Sequence, residues 1–411
     1  MIKYYITKIK HRFLIIRKHW LNVFQAKYLK LRFFVRNILK IEIDKILVGD
    51  VHGISSYDWH ELTGDDSRLE EKITDSPYFE LFTAINEGKL SEENVRDFRY
   101  FKLANLCIEK FNQYCGCKNE KELISYVLGF KKYFYNYKEQ GSIKSNLFVE
   151  VSQIKDTNFY EIIDGHHRIA MDAVLGKKYI YAFVIGSSFS GIQNKLFKVS
   201  MTKNKELYQP INKLTVRNWP TIRNCSDRLE AISDFLKKTE SNPKDLSLID
   251  IACSYGYFVK SFRNLGIKTQ GVEIDKNAIE IGKISYGLKD EDYVQSSLQD
   301  YLRQSNAHDI TCFFSILHHF GLKKDFGGGG LEIEELIKML DKTTQKYLFL
   351  DSGQNHEYWF KNKLVDWNDE FITNLILENS SFKSFEKLGV DTDNAGKYSG
   401  NYNRSLFVFK K

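Results

Sequence analysis

Two short stretches of this 411-residue chain carry residue types that do chemistry. One is Asp164-Gly165-His166-His167-Arg168, inside YEIIDGHHRIAMDAVLG. The other is LIDIACSYGYF, residues 248–258, with Glu273 following 23 residues after Asp250 in GVEID.

In the first stretch, adjacent side chains at a helix start point about 100° apart, so His166 and His167 are poorly placed to share one metal ion. No His-x-x-x-His pair or nearby cysteine completes a ligand set, and no metal site is expected. What the stretch offers is a strand running into a glycine turn, then a helix whose first N–H groups are free and whose dipole is positive at that end. Arg168 adds a fork of donors. That is an anion site, best suited to phosphate. The plain alternative is a turn whose arginine merely pairs with an acid.

The second stretch reads as strand, turn and helix. Gly256 in the turn would let backbone approach a ligand with no Cβ between them. Glu273, ending the next strand, can accept hydrogen bonds from ribose hydroxyls. The Gly-x-Gly-x-x-Gly cradle is missing, which argues against NAD. Further along, His318-His319 follows DITCFFSI, and Asp351, His356 and Glu357 lie in DSGQNHEYW after KYLFLD. Any of these histidines can serve a hydroxyl acceptor as base, and the sequence does not rank them.

Those residues need elements to hold them. From about 46 to 198, strands are expected at 147–154, 159–164 and 179–185, with a short helix between the last two ended by Gly176. A helix is expected over 91–115 with Ser91 as cap, and another over 225–238 with Ser226 as cap. Beyond 221, strands and helices alternate, which predicts a mainly parallel sheet with helices on both faces. The last two strands have no helix between them and should pair antiparallel.

Over about 215–411 the chain resembles class I S-adenosylmethionine-dependent methyltransferases, through the turn Asp250–Tyr257, the acid Glu273, ITCFFSILHHF and the final strand. The resemblance implies an α/β, Rossmann-like seven-stranded sheet with its last strand antiparallel. It also implies a methionine site bracketed by Asp250, Ala252 and Gly256, ribose held by Glu273, and adenine near Gln295 and Ser296. Ala252 stands where the family has a glycine. The stretch 147–186 resembles the ParB/sulfiredoxin superfamily, a smaller α+β domain. This implies nucleotide phosphate at Gly165, His166, His167 and Arg168, with Asp164 orienting the turn or assisting the reaction, and ATP with Mg2+ as a second cofactor. Sulfiredoxin's reactive cysteine has no counterpart in the turn.

The formal charge of +7 is unevenly placed. Residues 1–40 hold eleven Lys and Arg and no acid, while the remainder has 49 basic against 53 acidic residues. Apolar residues recur there at helical steps from Phe13 to Ile38, so a basic amphipathic arm is expected. An anionic membrane surface, packing on the body, and nucleic acid are its three readings. No apolar run reaches the ~18 residues of a membrane span. Six scattered cysteines suit reduced thiols in the cytoplasm.

Three segments follow: an arm at 1–45, a ParB-like domain at 46–214 and a methyltransferase domain at 215–411. The function expected is methylation of an oxygen, with a nucleotide-binding and phosphoryl-transferring second domain, on a bacterial surface glycan at the inner membrane face. One rival is a nucleic-acid binder of ParB type with an attached RNA or DNA methyltransferase. The other is a methyltransferase whose ParB-like domain only docks the acceptor.

Overall fold

The computed structural model describes residues 37–49, 69–140, 148–199, 205–304, 306–322, 331–358, 360, 362–393 and 402–411. The chain divides into two compact units, Met1–Gln193 and Asn194–Lys411. The amphipathic arm, apart from its last residues, lies outside the described residues, as do Trp59, His60, Asp65, Asp66 and Arg68.

In the first unit, five strands form one sheet in the order β1-β5-β3-β4-β2. They are β1 (Ile38–Glu42), β2 (Ile46–Leu47), β3 (Val149–Ile154), β4 (Tyr160–Asp164) and β5 (Tyr179–Ser188). Residues 38–42, expected in the arm of 1–45, instead pair with β5 from Ile38↔Phe183 to Glu42↔Tyr179. Among the described residues the sheet is accompanied by the helices α1 (Pro77–Asn86), α2 (Arg99–Phe111), α3 (Glu120–Gln140) and α4 (His166–Val174), and a short helix, Gly191–Leu196, runs across the boundary between the units. Ser76 caps α1 by accepting from the Phe79 amide.

The expected helix over 91–115 is shorter. The Asn94 side chain accepts from Ser91 N and donates to Lys89 O, which closes a turn and removes Ser91 as a cap. A single 3-10 turn follows, and α2 starts after Phe98, which supplies no side-chain cap. Asn112, in the left-handed region at φ 60°, ends it.

The second unit holds the seven-stranded sheet, in the order β11-β12-β10-β9-β6-β7-β8. In chain order its elements are α5 (Ser226–Thr239), β6 (Ser247–Ile251), α6 (Tyr257–Asn264), β7 (Lys268–Glu273), α7 (Lys276–Tyr286), β8 (Tyr293–Gln295), α8 (Leu298–Gln304) and β9 (His308–Phe314). Then come α9 (Leu317–Gly321), α10 (Ile333–Thr343), β10 (Thr344–Asp351), α11 (Asp369–Glu378), β11 (Ser384–Val390) and β12 (Ser405–Lys410). Strands β6 to β10 pair in parallel, and β12 is antiparallel to both β10 and β11, as the alternation and the missing last helix predict. The chain builds outward from β6 through β7 to β8, then returns to β9 on the other side of β6. Strand order reverses there, and in open α/β sheets the ligand crevice lies at the carboxyl ends of the strands at that point.

Two expectations fail in this unit. Cys225, at φ 66°, occupies the N-cap position of α5, and Ser226 is already inside the helix. The unit also takes in residues well before 215. Leu207 bridges Thr221, and Gln209 bonds the turn after β6, so residues 205–223 belong with the sheet they cover.

Arg404 and Glu357 join β12 to the loop after β10 through two 2.8 Å bonds, both side chains being buried. Removing one partner of such a pair strands a buried charge. Arg404→Met should therefore cost about 3–5 kcal/mol, read as a lower denaturant midpoint. The double variant Glu357→Leu/Arg404→Met should recover most of the loss.

Candidate functional site

The crevice at the switch is built from the ends of β6, β7, β9 and β10. After β6 the chain makes a turn in which Ala252 (φ 60°), Ser254 (φ 54°) and Gly256 (φ 85°) all take left-handed backbone, and α6 starts behind it. For residues with a Cβ this conformation costs roughly 1–2 kcal/mol each, and such strain concentrates at ligand clamps. Packing also requires Gly256 to lack a side chain. A Cβ there would meet Leu288 Cδ1 at 2.8 Å and the Tyr293 hydroxyl at 2.9 Å.

Glu273 holds the turn from the side. One carboxylate oxygen accepts from Ser254 N at 2.9 Å, and the other accepts from Ile274 N and Asp275 N at 2.8 Å each. Burial raises its pKa, and these three N–H donors work against the rise. Asp250, 2% exposed, has one oxygen that accepts no hydrogen bond. Burial, then the nearby Glu273, pushes its carboxyl well above the usual range. An unpaired carboxyl oxygen at a strand end costs free energy unless a donor arrives.

What remains open beside Asp250 is about 20 Å³, edged by Tyr208, Gln209, Arg223 and Ser315. That is room for about one water. The segment 205–223 fills the rest. Gln209 donates to Cys253 O and accepts from Tyr257 N, taking two polar groups of the turn. Gln295 and Ser296 lie at the end of β8 and beyond it, with Ser296 N donating to Glu273 O.

The three histidines now separate. His318 is buried, and its Nδ1 accepts from Gly353 N at 2.9 Å. Its Nδ1 lone pair is thus taken, and burial holds its pKa well below the ordinary value, both of which weigh against the expected role as base. The His319 ring lies against it at a 39° tilt, with centroids 4.1 Å apart. His356 is exposed, and its Nε2–H donates to Tyr402 O at 2.5 Å, which leaves the Nδ1 lone pair for a proton. Asp351 is excluded as a base. Its Oδ2 pairs with Arg228 at 2.9 Å and Arg223 at 3.3 Å, and these cations hold its carboxyl at about 2 against the effect of burial.

In the first unit, the Asp164–Arg168 turn lines a cleft of about 780 Å³. Gly165, at φ 110°, is the residue before α4, and a Cβ on it would lie 2.5 Å from Val149 Cγ1. Arg168 meets Asp164 at 3.2 Å, the pairing that the plain reading of this turn requires. The opposite wall carries Ser125, Tyr126, Gly129, Phe130 and Tyr133 from α3, with Cys115 beside them. His166 and His167 depart from the expected phosphate contact. The His166 Nε2–H donates to Val48 O, and its ring stacks on Tyr78. The His167 ring stacks on Phe130, meets Tyr78, Phe82 and Tyr100 edge-on, and bonds the Tyr100 hydroxyl at 2.8 Å. Both histidines are half-buried and still line the cleft, beside the turn's backbone, Arg168 and Asp164, but their ring nitrogens Nε2 are engaged by Val48 O and the Tyr100 hydroxyl.

The sequence reading missed Tyr126, Tyr133 and Cys115 as cleft residues, because α3 is far away in sequence and its aromatic spacing looks like that of any packed helix. It also missed Gln209 and Arg223, which lie in a segment with little regular structure and no motif.

No protein-family model matches this chain, and no curated protein matches it in sequence. Among solved structures it is similar to the bifunctional kinase-methyltransferase WbdD, at 18% identity and a TM-score of 0.41, over 53% of this chain and 46% of that one. The matched part thus spans slightly under half of WbdD. It is also similar to a SAM-dependent methyltransferase from Archaeoglobus fulgidus (13%, TM-score 0.31, 44% and 94% covered). A third is magnesium protoporphyrin IX methyltransferase from Synechocystis PCC 6803, in a structure with bound SAM (16%, TM-score 0.33, 45% and 78% covered).

Burial, then His166 and Arg168, lower the His167 pKa to about 3. The unfolded chain binds this proton near pH 6.5, so protons favour unfolding between the two values. Stability of the first unit should fall as pH drops from about 6.5 towards 3, by up to about 1.4 kcal/mol per unit from this ring. Denaturant unfolding of wild type against His167→Phe across that range checks it: the variant should lose this part of the acid slope.

Proposed function

We propose that the second unit transfers a methyl group from S-adenosylmethionine to a hydroxyl, and that the first unit binds a nucleotide through the Asp164–Arg168 turn of a ParB/sulfiredoxin-like domain. The observation that carries the first part is the strained turn 252–256 at the sheet's switch point, with the orphaned Asp250 oxygen on one side and Glu273 on the other. The residues fit the donor. Asp250 lacks the donor that an ammonium would supply, and a carboxylate can pair with Arg223, whose buried Nη1 makes no hydrogen bond. Glu273 carries ribose by accepting at the one lone pair that its three N–H donors leave on Oε2. Residues 205–223 must withdraw for entry, since Gln209 now holds the turn.

The bound donor supplies an electrophilic methyl group on a sulfonium. The chain's own share is alignment and proton handling. His356 takes the acceptor's hydroxyl proton at Nδ1, while Tyr402 O keeps the other nitrogen protonated. In the first unit, the first-turn N–H groups of α4 and Arg168, once released from Asp164, hold phosphate, and Tyr126 and Tyr133 offer ring faces to a base. ATP with Mg2+ is the form assigned to this cleft, with Asp164 as the carboxylate beside the phosphates.

The acceptor assigned is a bacterial surface glycan, modified by methyl or methyl phosphate at the cytoplasmic face of the membrane, where the basic residues 1–40 meet anionic lipid. A methyl-labelled donor incubated with the full chain and candidate glycans should label the glycan. His356→Ala should slow transfer by roughly 10²–10⁴-fold with donor affinity retained, and Arg168→Ala should abolish nucleotide binding while leaving methyl transfer from the donor intact. Label in nucleic acid in place of glycan would overturn the acceptor. Full transfer by the His356 variant would remove the base.

A further inference from the structure

The second unit has another concavity, a polar groove of about 350 Å³, on the face of the sheet away from the donor turn. Residues of β7 fix which face this is. Thr269 Oγ1 donates to Val259 O, and a Cβ on Gly271 would meet Cys253 and Val259, so these positions look towards α6. Gln270, between them, opens on the other side. There the groove is walled by Asp300, Tyr301 and Gln304 from one side of α8, with Asn306 and His308 at the start of β9, and its far end reaches Ser296, the residue expected near adenine.

Its chemistry is selective. The lining has no Lys or Arg and one carboxylate, Asp300, so it disfavours an anion. Its apolar surface is limited to Val294 and the Tyr301 ring, so it disfavours a lipid chain. The Tyr301 hydroxyl bonds His308 Nε2 at 3.0 Å, which fixes the ring at the groove wall. Burial lowers the His308 pKa and raises that of Tyr301 to about 12, so both are uncharged at neutral pH. The exposed side-chain amides of Gln304 and Asn306 make no hydrogen bond among the described residues. Asp300 accepts from Ser297 Oγ at 2.7 Å with one oxygen, and the Arg303 guanidinium lies 3.7 Å from the other. Free carboxamides and a carboxylate beside an aromatic face suit a ligand with many hydroxyls, no net charge and one flat apolar side.

We propose that this groove binds a neutral sugar ring. Its link to the acceptor, as a residue of the glycan held apart from the reacting one, rests on the reading given above; the binding itself does not. Saturation-transfer NMR on the full chain with glucose, mannose, galactose and N-acetylglucosamine, and with glucose 6-phosphate as the charged control, tests it. At least one neutral sugar should show transfer, exceeding the sugar phosphate. Its affinity should weaken roughly ten-fold or more in Gln304→Ala/Asn306→Ala, the expected result of losing about two hydrogen bonds. Both sites are exposed, and an unchanged circular dichroism spectrum and melting midpoint will show that the variant is folded. No transfer to any neutral sugar, equal transfer in wild type and variant, or preference for the sugar phosphate overturns the site. Calorimetry with S-adenosylmethionine on the same sample separates the two claims: sugar binding without donor binding sinks the methyl-transfer reading alone, and donor binding without sugar binding sinks the groove alone.

Discussion

Asp351 is the hinge of the second unit's ligand edge. It closes β10, and one of its carboxylate oxygens accepts from both Ser315 N and Ser315 Oγ, holding the end of β9. The other faces Arg223 and Arg228, and those two cations also meet Asp393, at 3.1 and 3.2 Å. Asp391 pairs with Arg223 at 3.2 Å, and burial raises its pKa. So many buried charges are expensive to desolvate, and the arrangement persists only because each ion faces opposite charge. The network ties the covering segment, α5, two strand ends and the loop before β12 to one point. That point lies beside Asp250.

This explains why the crevice beside Asp250 is narrow and yet unfinished. Asp351 and the arginines satisfy one another well enough to fix the edge. Asp250 is left with an unpaired oxygen, and Arg223 and Arg228 each keep a buried N–H group with no hydrogen bond. Gln209 meanwhile satisfies the turn's backbone from above. A ligand that brought an ammonium and a carboxylate would exchange Gln209's two neutral hydrogen bonds for charge-assisted ones, which are roughly twice as strong. The closed cover and the unsatisfied floor are therefore two sides of one constraint.

Much of this was legible in the sequence, where local pattern and tertiary demand agree. The β/α alternation after 221 led to the parallel sheet because each apolar run is too short for a buried helix and each before the last two is followed by an amphipathic helix. Asp250, Glu273 and the Gly165 turn were found because strand ends and glycine turns have local signatures. The roles of single side chains were not legible. His318, His319 and His356 look alike on paper, and only the Gly353 amide on one and the Tyr402 carbonyl on another tell them apart. His167 read as a ligand contact because nothing local shows that Tyr78, Tyr100 and Phe130 enclose it. Ser91 and Ser226 read as caps by type, but a side-chain turn at Asn94 and a left-handed Cys225 displaced them. Gly256 was read as making room for a ligand, and nothing local shows that Leu288 and Tyr293 also occupy the space its side chain would need.

The account stands on a methyl donor seated between Asp250 and Glu273 above the 252–256 turn. Isothermal titration of S-adenosylhomocysteine into the full chain, alongside Asp250→Ala and Glu273→Ala, measures this directly. A saturable one-site heat in the unaltered protein, lost or strongly weakened in both variants, is the predicted result. No heat in the unaltered protein, or the same heat in all three, would contradict it.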